Sequence, residues 1–335
     1  MRAQVIQGHG SIDDIRYEPD WPDPQPGPSE VVLKVKACTL NYHDLFTLRG
    51  MPGIKLNMPL IMGIDVAGEV SALGSEVTGW SAGDRVMVDP INRKIGKLLG
   101  EAMDGGLAEF VKVDASQLVR LPADVSFDQA AALPVAYGTA YRMMVSRGKI
   151  AAGEKVLILG ASGGVGTCCV QLAKLAGAHV IVAASSDEKI TRLKEIGADE
   201  GINYQTEDFM KEVHRRYGKP RFVAGGGGLD VVVNFTGGET WVPSLRCLKT
   251  DGRLLTCGAT AGFDPKEDIR YIWTFELNII GSNGWLPEDL DSLLDLVRQG
   301  KLKPTIDRRL PLEGTRDAFR LLEERRVFGK VVVAP

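Results

Sequence analysis

The 335-residue chain has no run of about 18 apolar residues, the length a membrane-spanning helix needs, so a helical span is excluded. It has no excess of positive charge. Lys and Arg number 40 against 43 Asp and Glu, a net charge of −3, which argues against nucleic acid or an anionic membrane as partner, because both reward a strongly basic surface. Cysteine is sparse. Cys38, Cys168, Cys169, Cys247 and Cys257 are odd in number and scattered, with no CxxC pair; a disulfide framework is not encoded, and a reducing compartment is expected. The opening MRAQVIQGHGSIDD lacks the apolar stretch of a secretory signal, so a cytoplasmic protein is expected. Low-complexity tracts and repeats of 20–50 residues are also missing, and at 44% hydrophobic and 25% charged residues the composition is that of a folded protein.

What is present is glycine, 39 residues of it, and a chain length that suggests two domains. Up to about residue 125 the pattern is β-rich. VVLKVKA (Val31–Ala37), GIDVAGEVSALG (Gly63–Gly74), GDRVMVD (Gly83–Asp89) and AEFVKVD (Ala108–Asp114) read as strands. Beyond Pro122 the period changes. Ser126–Gly148 has helical spacing with Ser126 as N-cap, and strands then alternate with helices. The strands are KVLILG, HVIVAA (His179–Ala184), LDVVVNF and GRLLTCG; the helices are Gly164–Gly177 and Asp187–Ala198. That alternation predicts right-handed βαβ units on a parallel sheet. The tail ends in KVVVAP, a strand expected to return to the first domain for a partner. The predicted division is 1–125 for a β-rich catalytic domain, 126–269 for a doubly wound cofactor domain, and 270–335 for the return.

KVLILGASGGVG sets an apolar strand before a glycine turn and a helix after it. Glycine lets the backbone approach a pyrophosphate, and the helix N-terminus offers free N–H groups to it. In the usual G-x-G-x-x-G register the three glycine positions are Ala161, Gly163 and Gly166, so the first is an alanine. Gly160, Ser162, Gly164 and Val165 complete the candidate cofactor turn. An NAD site usually carries an acid at the end of the second strand. Here that end reads Ala183, Ala184, Ser185, Ser186, with Lys189 one turn on. Ser185, Ser186 and Lys189 suit a 2′-phosphate, which predicts NADPH; helix capping and a solvated lysine are the plain alternatives.

These motifs, with ACTLNYHDLFTLRG, MPLIMGIDVAGEV, GDRV, DGGLAEFVKV, ALPVAYGTAY, GADEGINY and FGKVVVAP in the same order, make the chain resemble the medium-chain dehydrogenase/reductase superfamily. The closest likeness is to its zinc-independent quinone oxidoreductase (zeta-crystallin-like) branch. The resemblance implies an α/β protein with a GroES-like β-rich catalytic domain plus a Rossmann doubly wound parallel-sheet cofactor domain, and an active site between them. It implies a homodimer, built where NIIGSN (Asn278–Asn283) forms an edge strand; an internal strand is the alternative. It also implies cofactor contacts at Tyr204, Gly258 and the Gly329–Lys330 pair.

In the zinc-dependent branch the metal is held by a Cys, the His of a G-H-E motif, and a later Cys or His. The matching positions here are Asn41, Ile64 and Val135, and the lobe that would hold a structural zinc, PINRKIGKLLGEAMDGG, has no cysteine. No metal is expected. Asp65 stands at the Glu of G-H-E, and His43 reads as a lone histidine outside the ligand positions. By resemblance Asn41 would hold a substrate oxygen, Asp44 would position the local network and Thr139 would face the nicotinamide. Each has a plain reading as turn residue, helix cap or helix packing. Some relatives carry a Tyr where this chain has Phe46, which cannot donate; the resemblance leaves water, Tyr42 or no side chain at all as the proton source. The activity implied is NADPH-dependent hydride transfer to a quinone, an enone or an aldehyde. The alternatives are an alcohol dehydrogenase-like enzyme, suggested by the lobe Asn92–Met103, and a non-enzymatic NADPH-binding protein.

Overall fold

Val31, Leu33 and Val35 are buried along the segment that follows the early proline-rich loop, while Lys34 is exposed between them. Glu30–Thr39 (β1) is the long central strand of a sheet, and it is buried along most of its length, Val32, Ala37, Cys38 and Thr39 included. The computed structural model describes residues 1–51, 53, 56–222 and 226–335. It divides into two units, Met1–Ala136 with Leu290–Pro335, and Tyr137–Asp289.

In the first unit β1 is followed by helix α1 (Tyr42–Arg49) and by strands β2 (Asp65–Leu73), β3 (Arg85–Val88), β4 (Phe110–Asp114) and β5 (Leu118–Arg120). Helix α2 (Phe127–Ala131) comes next. The second unit contains β6 (Lys155–Leu159), α3 (Gly164–Leu175), β7 (His179–Ala184), α4 (Asp187–Glu195), β8 (Glu200–Asn203), β9 (Leu229–Val233), β10 (Leu248–Thr256), α5 (Ile269–Thr274) and β11 (Asn278–Gly281). The chain then re-enters the first unit with β12 (Ile306–Pro311), α6 (Thr315–Glu323) and β13 (Lys330–Ala334).

The first unit's sheet runs β5-β3-β2-β1-β13-β12, with β4 also paired to β1. The expected return of the tail is present: Val332 and Val333 of β13 pair antiparallel with Thr39 and Cys38, and β12 lies parallel to β13. Phe319 and Ala318 of α6 close the same core as Leu33, Val66 and Val331. The second unit's sheet is wholly parallel, in the order β8-β7-β6-β9-β10-β11. Counted within the unit this is 3-2-1-4-5-6, the doubly wound dinucleotide-binding order. Its central strands β6, β7 and β9 are almost continuously apolar because both faces are covered. Among the described residues no helix is long and apolar enough to cross a membrane.

Both boundaries differ from the sequence expectation. The first lies at 136/137 instead of 125/126, because α2 is held to the first unit: the Thr39 hydroxyl sits 2.9 Å from the Ala131 carbonyl, and the Val135 N–H donates to Asp65 at 2.9 Å. The second lies at 289/290 instead of 269/270, because β11 completes the parallel sheet beside β10. Ser126 does cap α2, in a reciprocal pair with Gln129. The single helix expected to Gly148 is instead interrupted by π-wound turns at Leu133–Gly138 and Arg142–Arg147. Pro134 has no N–H, and the N–H of Val135 is taken by the Asp65 carboxylate, so the regular ladder cannot continue there.

Candidate functional site

The second unit places its candidate residues along one edge of the parallel sheet, after the C-terminal ends of the strands. Gly160 follows β6 with φ of +66°, the left-handed region where a side chain strains the backbone. Gly163 caps α3, whose first-turn N–H groups have no carbonyl one turn back within the helix. Ala161 and Gly166 are buried beneath the turn, and Ser162, Gly163, Gly164 and Val165 are partly exposed on it. A Cβ on Gly166 would fall 2.4 Å from the Gly160 carbonyl oxygen, so the third glycine is there for packing within the turn. A Cβ on Gly163 would meet nothing nearer than 3.6 Å. That space lies open for a ligand's close approach.

Residue Leu159 of β6 stands level with Ala183 of β7, and Ala184 with Asn203 of β8. Ser185, Ser186 and Tyr204 therefore follow neighbouring strand ends, with the Tyr204 N–H donating to the Ala184 carbonyl. Ser186 is the N-cap of α4, its Oγ accepting from the Lys189 N–H at 3.2 Å. Asp187, the first acid after β7, accepts from the Asn203 side chain at 3.0 Å. Gly258 lies exposed just past β10. Thr139 is in this unit, half-buried between the two π-wound turns.

Sequence reasoning missed the turn after β9. The buried Asn234 accepts from the N–H groups of Thr236 and Gly237, both at 2.9 Å, and donates to the Thr240 and Ser244 hydroxyls. This turn carries Phe235, whose ring would lie 3.0 Å from a Cβ on Gly160. β6 and β9 flank the point where the strand order reverses, so the two turns form the crevice of such a sheet. The signal was N-F-T-G-G directly after an apolar strand.

In the first unit Asn41, Asp44, Asp65 and Lys330 converge. Asn41 ends the extended segment from β1 and caps α1, and Asp44 Oδ2 accepts from its N–H at 2.7 Å. Asn41 Nδ2 donates to Asp65 Oδ2 at 2.8 Å, and Asn41 Oδ1 accepts from Lys330 Nζ at 2.5 Å. Lys330 Nζ also donates to Asp65 Oδ2 at 3.2 Å and to the Leu40 carbonyl at 2.9 Å. The Thr39 hydroxyl lies 3.1 Å from Asp65 Oδ2. Lys330 and Asp65 are buried at 2% and 0% exposure. Lys330 thus directs its ammonium to three acceptors inside its own unit. Tyr42 packs against the core with its ring edge-on to Phe46.

Asp44 is fully buried, and among the described residues its Oδ1 has no hydrogen-bond partner. Burial pushes its pKa up to about 7; the Asn41 N–H opposes that and the Asp65 charge adds to it. Burial likewise drives the Cys38 thiol well above its ordinary value, so it is no thiolate. His43, read as a lone histidine, is paired with Glu101 at 2.6 Å. Burial works against its charge, but the Glu101 carboxylate outweighs it and the pKa is raised.

These residues do not fit a zinc ion. Asn41, Ile64 and Val135 offer no thiolate or imidazole, and the Asp65 carboxylate beside them already binds an ammonium. Among the described residues no group of three or more His, Cys, Asp or Glu is placed to hold a metal.

Residues 27–123 match the family described as alcohol dehydrogenase GroES-like domain, and residues 164–299 match zinc-binding dehydrogenase. The chain is 32% identical to the synaptic vesicle membrane protein VAT-1 homolog of Rattus norvegicus, over 100% of this chain and 84% of that protein. It is 30% identical to the acryloyl-coenzyme A reductase of Sulfurisphaera tokodaii, over 100% of both. A crystal structure of an NAD-dependent alcohol dehydrogenase superposes with a TM-score of 0.91 at 36% identity, over 100% of both chains.

Two expectations follow for purified protein. Gly166→Ala forces the turn to shift and lowers stability by about 1–3 kcal/mol in urea unfolding. Gly163→Ala keeps the wild-type urea midpoint but weakens binding of a nicotinamide dinucleotide about tenfold or more, measured by titration. Asp44 generates a pH signature. The folded state keeps a proton that the unfolded chain releases near its ordinary value of 3.8. The Asp44 contribution to wild-type stability therefore falls as pH rises from about 4 to about 7, then levels. Asp44→Asn has no proton to lose, so its stability gains on wild type across that window by up to about 4 kcal/mol. Parallel urea midpoints of the two proteins from pH 4 to 8 would contradict this.

Proposed function

The chain belongs to the medium-chain dehydrogenase/reductase superfamily, and from that premise we propose that it is a zinc-independent, NADPH-dependent reductase of quinones and α,β-unsaturated carbonyl compounds. The observation that carries the reading is the Lys330 ammonium seated on Asp65 and Asn41, beside the positions that match zinc ligands. A simple alcohol needs a group that stabilises alkoxide, the task of zinc in the metal branch. A conjugated acceptor needs less, because the carbonyl delocalises the charge that arrives with the hydride. The similarity to an acryloyl-coenzyme A reductase supports acyl thioesters among those acceptors.

The residues suited to hold the cofactor are Gly160–Gly166 on the pyrophosphate, Ser185, Lys189 and Tyr204 on the 2′-phosphate, with Gly258 along the same sheet edge. Bound there, reduced nicotinamide supplies the hydride. Hydride addition at the β-carbon moves negative charge onto the carbonyl oxygen. Asn41 gives one of its two amide protons to Asp65 and has the other for that oxygen. Water supplies the final proton at the α-carbon.

A second reading, alcohol oxidation with NAD, draws on the likeness to the NAD-dependent alcohol dehydrogenase. Against it stands the end of β7, where Ser185 and Ser186 occupy the place of the ribose-binding acid, and Asp187 is engaged by Asn203. The five cysteines are free thiols, four of them buried, which supports a reducing, cytoplasmic setting.

We assign the edge strand β11 to a homodimer. Among the described residues one side of β11 has no strand beside it in the sheet, Ile279 is exposed on it, and the neighbouring α5 turns Ile269 and Trp273 to solvent at 70% and 68% exposure. A second copy pairing edge to edge covers both features.

Steady-state kinetics over quinones, enones, enoyl thioesters and alcohols tests the catalytic reading. NADPH outperforms NADH, Lys189→Ala erodes that preference about tenfold or more, and Asn41→Ala lowers kcat/KM by about 10–1,000-fold with NADPH affinity little changed. Efficient NAD-linked oxidation of alcohols with no reduction of any quinone or enone sinks it, and NADPH binding without turnover of any acceptor points to a non-enzymatic role. For the dimer, sedimentation gives twice the 36.3 kDa chain mass for wild type and the single mass for Ile279→Lys. A wild-type monomer at micromolar concentration refutes that assignment.

A further inference from the structure

We propose that Lys330 and Asp65 are positioning residues that lock the Asn41 side-chain amide in one of its two orientations. The inference rests on the reading of Asn41 as the donor to the substrate oxygen. An amide can turn over and exchange its oxygen with its nitrogen at almost no cost when its neighbours are water. Here the neighbours are not interchangeable. The Lys330 ammonium only donates, and it faces Asn41 Oδ1 at 2.5 Å. The Asp65 carboxylate only accepts, and it faces Asn41 Nδ2 at 2.8 Å. The reversed amide would set N–H groups against an ammonium and an oxygen against a carboxylate, in a place where Lys330 is 2% and Asp65 0% exposed. Low dielectric makes both contacts strongly repulsive.

The remaining contacts secure the pair. The third Lys330 proton goes to the Leu40 carbonyl, the peptide that leads into Asn41, so one ammonium holds the residue by side chain and by backbone. Asp65 Oδ1 accepts from the Val135 N–H, and Asp44 accepts from the Asn41 N–H. The Asn41 amide has one N–H left uncommitted by these bonds, and its orientation is set by two residues that themselves need not touch substrate. Charge neutrality is part of the device: the ammonium balances the Asp65 carboxylate, and removing either alone leaves an unpaired buried charge.

The test is a double-mutant cycle on the full-length protein with Asn41→Ala, Lys330→Met and the two combined, plus Lys330→Arg. The readouts are kcat, KM, NADPH affinity by titration and the urea midpoint. If Lys330 acts through Asn41, Lys330→Met lowers kcat by about 10–1,000-fold while NADPH affinity holds, and the combined variant is no slower than Asn41→Ala alone. Lys330→Arg restores a measurable part of kcat by keeping a donor-only cation. Losses that multiply, or a weakened NADPH affinity with kcat unchanged at saturation, overturn the proposal; the second result would make Lys330 a cofactor contact. Should Lys330→Met fail to fold, Asp65→Asn with Lys330→Met removes both charges and takes its place in the cycle. If the wild type reduces no quinone or enone, the proposed function has failed. The lock is then decided by the urea midpoints: non-additive losses for Asn41→Ala and Lys330→Met support it, and additive losses overturn it.

Discussion

The first unit is organised around one buried ammonium. Lys330, five residues from the end of the sequence, reaches Asp65, Asn41 and the Leu40 carbonyl, partners more than 260 residues earlier. An isolated charge at that depth is untenable, and even a paired one gains little net stability over well-packed apolar residues. Its value is specificity. The ammonium is tolerated only where three acceptors meet it, and that happens in one register of β13 against β1, with Val332 opposite Thr39 and Val333 opposite Cys38. A slip by one residue would turn Lys330 to the other face of the sheet and strand Asp65 in the core. The ion pair therefore fixes strand order, the entry into α1 and the setting of Asn41 together.

Beside that neutral pair lies a carboxyl group whose burial outweighs the pull of His43 and Lys330. Asp44 has one oxygen on the Asn41 N–H and the other unpartnered, and burial keeps it protonated far above the usual carboxylate range. The contrast between the two acids is environmental. Asp65 has a cation and three further polar partners within about 3 Å, while Asp44 has a single N–H. Next to Asp44 in the sequence and more exposed, His43 meets Glu101 at 2.6 Å in the first turn of α1. The turn that carries Asn41 is thus surrounded by charges held in distinct states by their depth.

The second unit follows a different economy. Its polar chemistry lies at strand ends, where a parallel sheet leaves backbone groups unpaired, and its core needs only apolar strands. Glycine is used there for two separate purposes. Gly166 lets α3 sit against the Gly160 carbonyl, and Gly163 leaves space above the turn. The buried Asn234 stiffens the opposite wall of the crevice by using its side chain as a substitute backbone. The strand order that creates the crevice also leaves β11 at the edge, with Ile279 uncovered.

Local pattern determined a good deal. The valine-rich run of β1, the apolar run of β6, the glycine turn and the Ser126 cap are each properties of a few adjacent residues, and each is present in the structure. So is the extent of β7, which begins at His179 and is followed by two serines. What depended on distant partners was not legible. The regular helix expected from Ser126 to Gly148 gave way because Asp65, far back in the chain, claims the Val135 N–H. The domain boundaries moved because α2 and β11 belong to whichever sheet supplies their hydrogen bonds, and periodicity does not say which sheet that is. His43 looked solitary until Glu101 came beside it, and the meeting of Lys330 with Asp65, Asn41 and the Leu40 carbonyl could not be read from the sequence. Sequence by itself determined the elements, since φ/ψ preference and side-chain period are local; only tertiary structure decided which charge meets which, because burial and pairing arise from residues hundreds of positions apart.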